Sequence, residues 1–288
     1  MDNKWVKGAR PKTLPAAIVP VALGTAAAQV ENFSTLPAVL ALLVALTLQV
    51  GVNYANDYSD GIRGNDGSSR VGPTRLVGSG LASASQVLRA SIIMFTFSAA
   101  SGLWLALITS LWLLPIGVLS ILGAWFYTGG SSPYGYRALG EASVFLFFGL
   151  IATNGSFFVQ VEKISLLSFI LSCVAGLLSC GLLTVNNLRD RENDSGVGKR
   201  TLSVVLGEEV SKKLFTTAIF VSFLLAISVS FWSAYALIVL LAIPLGYKMV
   251  GTVKGAHDVA SWGLALRQMS LLQIVLGALL VISLVINS

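Results

Sequence analysis

Two short runs of acids and amides hold the residues best suited to chemistry in this sequence. The first runs from Asn53 through Asn56, Asp57 and Asp60 to Asp66, and the second from Asn186 and Asn187 through Asp190 to Asp194. On a continuous helix, residues three and four apart share a face. Asn53, Asn56, Asp57 and Asp60 would then point one way, and Asp190 and Asp194 would do the same on theirs. Clustered carboxylates repel one another, and a hard cation relieves the repulsion. Magnesium takes oxygen ligands and commonly bridges one or two carboxylates to substrate phosphates. Asn56, Asp57, Asp60, Asp66, Asp190 and Asp194 are the candidate ligands for Mg2+ around a diphosphate, with Asn53, Asn186 and Asn187 beside them as substrate contacts. A diphosphate also needs cations from the protein, and Arg can grip phosphate oxygens bidentately. Arg10, Lys12, Arg63, Arg75 and Lys199 flank the two runs. One such run alone could be ordinary solvated loop acids. Two, each preceded by asparagines at the end of an apolar segment, argue for a site. A transporter's proton or sodium site would place an acid near the middle of a span, and no apolar window carries one there.

The elements that must position these residues are apolar. Of 288 residues, 55% are hydrophobic and 11% charged, against about 25% charged in soluble domains, and the mean hydropathy is +0.80. That composition excludes a soluble enzyme, a disordered binder and a disulfide scaffold, and predicts an all-α integral membrane protein. A spanning helix needs about 20 apolar residues. Nine windows qualify: 13–30, 36–56, 88–109, 111–128, 142–160, 165–186, 213–231, 234–250 and 266–286. With nine transmembrane helices, every Lys and Arg except Lys163 falls on one side, 18 of 19. Such an excess marks the cytoplasmic face, so the N-terminus and both acidic runs are expected in the cytoplasm and the C-terminus outside. The formal charge of +6 then reports membrane orientation, and no nucleic acid partner is expected. No cleavable signal peptide is expected, because no short apolar stretch with a cleavage site follows the basic N-terminus. Cys173 and Cys180 lie in one apolar segment and His257 stands alone, so the cysteines are expected to pack rather than bind metal.

The acidic runs resemble those of the UbiA superfamily of intramembrane aromatic prenyltransferases, whose hallmark is an NDxxDxxxD-type motif followed by a DxxxD motif. Here they read NDYSDGIRGND (Asn56 to Asp66) and DREND (Asp190 to Asp194). The six-residue step from Asp60 to Asp66, in place of four, is similar to the MenA branch, the 1,4-dihydroxy-2-naphthoate polyprenyltransferases. ARPKTLPAAIVPVALG (9–24), GPTRLVGSGL (72–81), FYTGG with SPYGYRALGE (126–141) and NNLRDRENDSGVGKRTL (186–202) extend the likeness over about the first 210 residues.

The resemblance implies one domain over 1–288 with nine transmembrane helices around a central cavity. Cytoplasmic cap helices or loops would lie in the 57–87 and 187–212 connections, with a lateral opening to the membrane lipid. It implies Mg2+-dependent transfer of a polyprenyl group from polyprenyl diphosphate to 1,4-dihydroxy-2-naphthoate, with loss of carbon dioxide and pyrophosphate; a 4-hydroxybenzoate prenyltransferase is the alternative within the superfamily. Asp60 and Asp190 would be catalytic through the metal, and Tyr127 through its ring face toward an allylic cation. Arg10 or Lys12 would meet the acceptor's carboxylate. The family places a basic residue four or five positions after Tyr127, where this chain has Ser131 and Ser132; Arg137 is the candidate substitute.

Overall fold

Inside lipid, a backbone amide has no water to bond, so a spanning segment must satisfy its own amides as a helix or a closed barrel. This chain uses helices. The structure, a computed structural model, describes residues 3–29, 33–65 and 75–287. Among the described residues there is no strand, only one isolated bridge between Arg137 and Arg200. Helix α1 (Lys4–Ala9) and a 3-10 turn (Pro11–Thr13) lead into α2 (Pro15–Gln29). They are followed by α3 (Thr35–Ile62), α4 (Ala84–Ile108) and α5 (Leu113–Phe126). Helix α6 (Gly140–Val144), a π-helical stretch (Phe145–Ile151) and α7 (Ala152–Val161) form one continuous rod. The rest is α8 (Leu166–Gly196), α9 (Leu202–Leu206), α10 (Glu208–Ser228), α11 (Ile243–Gly255) preceded by a 3-10 stretch (Ala234–Ala242), and α12 (Val259–Ile286).

Among the described residues, seven helical segments are long and apolar enough to cross a membrane: Thr35–Ile62, Ala84–Ile108, Gly140–Val161, Leu166–Gly196, Glu208–Phe231, Ala234–Gly255 and Val259–Ile286. Helices α2 and α5 are apolar but only 15 and 14 residues long. At 1.5 Å per residue they reach roughly 22 Å, short of the ~30 Å hydrocarbon thickness. The expectation of nine crossings thus resolves into seven of full length and two shorter rods. Phe231, Tyr247 and Trp112 are 86%, 84% and 79% exposed, as a lipid-facing surface requires.

The core lies where α2, α8, α10 and α12 meet, around Leu23, Leu171, Leu178, Phe215, Leu272, Leu276 and Leu280. Small residues let the backbones close up there, as membrane helices favour. A Cβ on Gly149 would sit 2.6 Å from the Cα of Gly176 and 2.7 Å from the carbonyl oxygen of Ser172. Opposite this core, α4 is hung on α3 by Ser91 and Ser98, whose hydroxyls donate to the carbonyls of Gly51 and Val44. Capping boxes at Ser83, Ser165 and Asp258 start α4, α8 and α12, each satisfying otherwise orphaned amides.

What matters most for the site is that α3 and α8 outrun their apolar lengths. The apolar windows end at 56 and 186, yet the helices continue to Ile62 and Gly196. Asn53 to Asp60 of the first run and the whole of the second therefore ride on the last turns of long helices. Of the connections expected to hold caps, residues 76–82 form turns and bends, and 187–212 holds the end of α8, all of α9 and the start of α10. Gly149→Val is expected to force α8 and the π-helical stretch apart, costing about 1–3 kcal/mol and lowering the midpoint of thermal unfolding in detergent. Gly117→Ala, within α5 where a Cβ would meet nothing within 4 Å, should leave that midpoint unlowered or raise it slightly.

Candidate active site

The two acidic helix ends face one cavity of about 680 Å³. Its polar end is lined by Asn53, Asn56 and Asp60 from α3, and by Asn186, Asn187 and Asp190 from α8. Arg10, Lys12, Arg75 and Lys199 line it too, as does Tyr127. The apolar remainder runs between α3, α4 and α5, past Val44, Leu48, Leu103, Ile121 and Ala124. Eleven of the sequence-derived candidates thus share one wall. Asp57, Asp194, Arg63 and Arg137 are not among its lining, and Asp66 lies outside the described residues.

Each placement has a physical cause. Asp60 is almost fully buried; its Oδ2 meets Arg75 Nη2 at 3.1 Å, and its Oδ1 accepts from the Tyr136 hydroxyl. Burial first, and then the charge of Asp60, push the Tyr136 hydroxyl above its ordinary range, so it remains a donor. Asp190 is gripped by both Nε and Nη2 of Arg189 at 2.7 Å. Asp194 is paired with Lys199 at 3.7 Å, and Lys199 also lies over the Tyr136 ring. Asp57, expected with the ligands, is fully buried and turned to the loop. Its two oxygens accept from the amides of Leu76 and Val77 at 2.8 and 3.1 Å. Arg63 reaches the outside of the turn after α5, donating to the carbonyls of Thr128 and Gly130. Arg137 is exposed and pairs through its backbone with Arg200. Ser131 and Ser132 are exposed on that same turn. Tyr127 packs edge-on against Tyr134, ring centroids 5.5 Å apart, and burial, then Glu141, raise its hydroxyl's pKa.

The amides are the informative part of the donor set. Asn53 Nδ2 donates to the carbonyl of Ala9 and the hydroxyl of Thr13 at 2.8 and 3.2 Å. Asn186 Nδ2 donates to the carbonyl of Leu182, and Asn187 Nδ2 to Glu141 Oε1. Each of these three amides thus turns its nitrogen to the protein, Asn53 with two donations and Asn186 and Asn187 with one each, and their oxygens accept from no group among the described residues. Asn56 differs, because its oxygen already accepts from the Thr128 hydroxyl. Among the described residues, no three His, Cys, Asp or Glu converge closely enough to hold a metal by themselves. A cation here would draw on amide as well as carboxylate oxygens. That all-oxygen set, without sulfur or imidazole, fits magnesium.

Several contributors carry little sequence signal. Thr13 is a hub: its hydroxyl donates to the carbonyl of Arg10 and accepts from Gln49 and Asn53. With Ser270 Oγ donating to the Lys12 carbonyl, it fastens the N-terminal hook to α3 and α12. Arg10 ends α1 at φ +52°, a left-handed conformation that is costly for a non-glycine residue. Gln49 could have been found from its spacing, since it lies four residues before Asn53 on α3 and also lines the cavity. Arg189 could have been found beside Asp190. Lys7 had no pattern to mark it, and the 126–141 stretch marked the segment holding Thr128, Tyr136 and Glu141 without singling them out. Cys173 and Cys180 are free and half-buried, and Cys180 Sγ donates to the Glu141 carbonyl. Asp57→Ala is expected to leave the amides of Leu76 and Val77 without their acceptor, cost about 1–3 kcal/mol and hasten proteolysis within 75–82; limited proteolysis and thermal unfolding check this.

The comparisons with known proteins agree with this geometry. The UbiA prenyltransferase family profile matches residues 17–272. The chain is 44% identical over 255 residues to 1,4-dihydroxy-2-naphthoate octaprenyltransferase of Mycobacterium tuberculosis, covering 88% of this chain and 87% of that one. It is 36% identical over 265 residues to the Escherichia coli protein of the same name, covering 88% and 86%. A UbiA homolog from Archaeoglobus fulgidus, solved bound to GPP and Mg2+, superposes with a TM-score of 0.68 at 16% identity, covering 98% of this chain and 99% of that one. On the family match and the mycobacterial and enterobacterial likenesses together, this chain belongs to the UbiA prenyltransferase family.

Proposed function

We propose that this protein transfers a polyprenyl group from polyprenyl diphosphate to 1,4-dihydroxy-2-naphthoate, releasing pyrophosphate and carbon dioxide. One observation carries the reading. A single cavity joins an oxygen-lined, cation-rimmed end to an apolar reach between α3, α4 and α5. A diphosphate fits the first and an isoprenoid tail the second. The likeness to two naphthoate prenyltransferases supports the choice of acceptor.

In this reading Asn56, Asp60, Asp66, Asp190 and Asp194 would hold Mg2+, while Asp57 holds the loop. Bound magnesium supplies positive charge to the departing diphosphate. Arg75, Arg189 and Lys199, each paired with a carboxylate of the two runs, supply further charge at the same end. The allylic C–O bond breaks with its electron pair leaving on the diphosphate, and the electron-rich ring attacks the allylic carbon. Arg10 and Lys12 orient the acceptor through its carboxylate, which leaves as carbon dioxide. Tyr127 turns a ring toward the allylic cation. Apolar walls keep water from the cation. Residues 1–288 act as one domain in the cell membrane. The reading keeps nine crossings, with α2 and α5 as short ones, and places the N-terminus and the site in the cytoplasm and the C-terminus outside.

The test is an assay of purified protein with magnesium and labelled geranylgeranyl diphosphate, offering the naphthoate or 4-hydroxybenzoate in parallel. Labelled prenylated naphthol and free carbon dioxide should form only with the naphthoate, and chelation should abolish both. Product with the benzoate instead would move the protein to another branch of the family. Asp60→Ala and Asp190→Ala should each lower kcat at least ~100-fold while still inserting into membranes; near-normal turnover in either would refute the ligand assignment.

A further inference from the structure

We infer that Glu141 fixes the amide of Asn187 so that its oxygen, and not its N–H, faces the cavity, which makes Asn187 a ligand for the cation that carries the diphosphate. This rests on the metal–diphosphate reading above and adds to it a positioning residue on a different helix. An asparagine side chain can present either end to a cavity, and the choice is set by what meets the other end. For Asn53 and Asn186 the choice is made by backbone carbonyls of Ala9 and Leu182, which no substitution at those positions removes. For Asn187 it is made by a side chain. Its Nδ2 donates to Glu141 Oε1 at 2.9 Å. Glu141 Oε1 is the acceptor in this pair, so turning the amide over would set oxygen against oxygen. Asn187 is itself buried yet lines the cavity, and its oxygen makes no hydrogen bond among the described residues.

Glu141 is held for this task at both ends. It sits in the first turn of α6, and its carbonyl accepts from Cys180 Sγ, two turns before Asn187 on α8. Its other carboxylate oxygen, Oε2, is buried with no hydrogen-bond partner among the described residues. A buried acceptor without a partner is costly. Packing alone would be served better by an apolar side chain. Residues that orient metal ligands from behind characteristically alter affinity about 10–100-fold when replaced.

The experiment uses the full chain in detergent, with Mn2+ in place of magnesium, inorganic diphosphate as the anion, and electron paramagnetic resonance to count free Mn2+. Glu141→Gln provides an N–H that can meet the Asn187 oxygen, so the amide is free to turn. Mn2+ affinity should fall about tenfold, and KM for the prenyl diphosphate should rise with kcat within about twofold. Adding Asn187→Asp should restore binding, because a carboxylate shows oxygen in either orientation and accepts from the amide introduced at 141. A purely structural role for Glu141 would not be rescued in this way. Wild-type affinity in Glu141→Gln overturns the inference, and so does a folded double variant as weak as Glu141→Gln. Should Glu141→Gln alone fail to fold, Asn187→Ala decides, since wild-type Mn2+ affinity there also overturns it. Wild-type protein that bound no Mn2+ with diphosphate would instead overturn the metal reading on which this stands.

Discussion

A carboxylate at the end of an apolar helix persists only when a donor or a cation meets it, and the polar end of this protein is organised by that requirement. Asp57 draws in the amides of residues 76 and 77, and Asp60 draws in Arg75 and Tyr136. Asp194 draws in Lys199, whose neighbour Arg200 is laced by backbone hydrogen bonds to Tyr136 and Ala138. Four segments far apart in sequence are thereby tied into one rim. The partners that stabilise the acids are also the cations a diphosphate would need, so stability and charge at the site share the same side chains. Asp60 and Asp194 are acids that a metal ion would have to win from an arginine or a lysine.

The apolar half obeys a different rule. Helices α2, α8, α10 and α12 close up around a dense core, whereas α3, α4 and α5 line the apolar reach of the cavity. Glycines contribute to both outcomes. Gly149 and Gly176 bring backbones together, while a Cβ on Gly117, which lines the cavity, would meet nothing within 4 Å.

Much of this was legible in the sequence because helical spacing is a strong signal, and its failures have physical reasons. Asn53, Asn56 and Asp60 were grouped on one face, and they do share the cavity. Asp57 was grouped with them and is turned away, because successive helical residues differ by about 100°. The cavity lies on the Asn56 flank of the stripe, so Asp57 falls on the far flank, against the loop. Hydropathy located the apolar segments but not their ends. It let α2 begin at 13, although the 3-10 turn through Thr13 delays the helix to Pro15, and it ended α3 at 56, although the helix continues to Ile62. Thr13, Tyr136 and Glu141 act through contacts with residues far away in sequence, which leave no periodicity to read. The departure at Ser131 and Ser132 was visible, but not its setting. That turn is gripped from outside by Arg63, while Lys199 reaches the cavity from α8's far end.

The N-terminal hook has a consequence for how the protein is made. Its Thr13 hydroxyl is seated on α3, and the Lys12 carbonyl accepts from Ser270 on α12, 258 residues later. The hook leaves the ribosome early, but its last seat arrives only when the final helix enters the bilayer. Until then, the wall that carries Arg10 and Lys12 is seated on α3 but lacks its bond to α12. A chain truncated before Ser270 keeps the acids of α3 and α8 and loses that seat. Completion of the chain, rather than insertion of the acidic helices, is what pins this side of the pocket to the final helix.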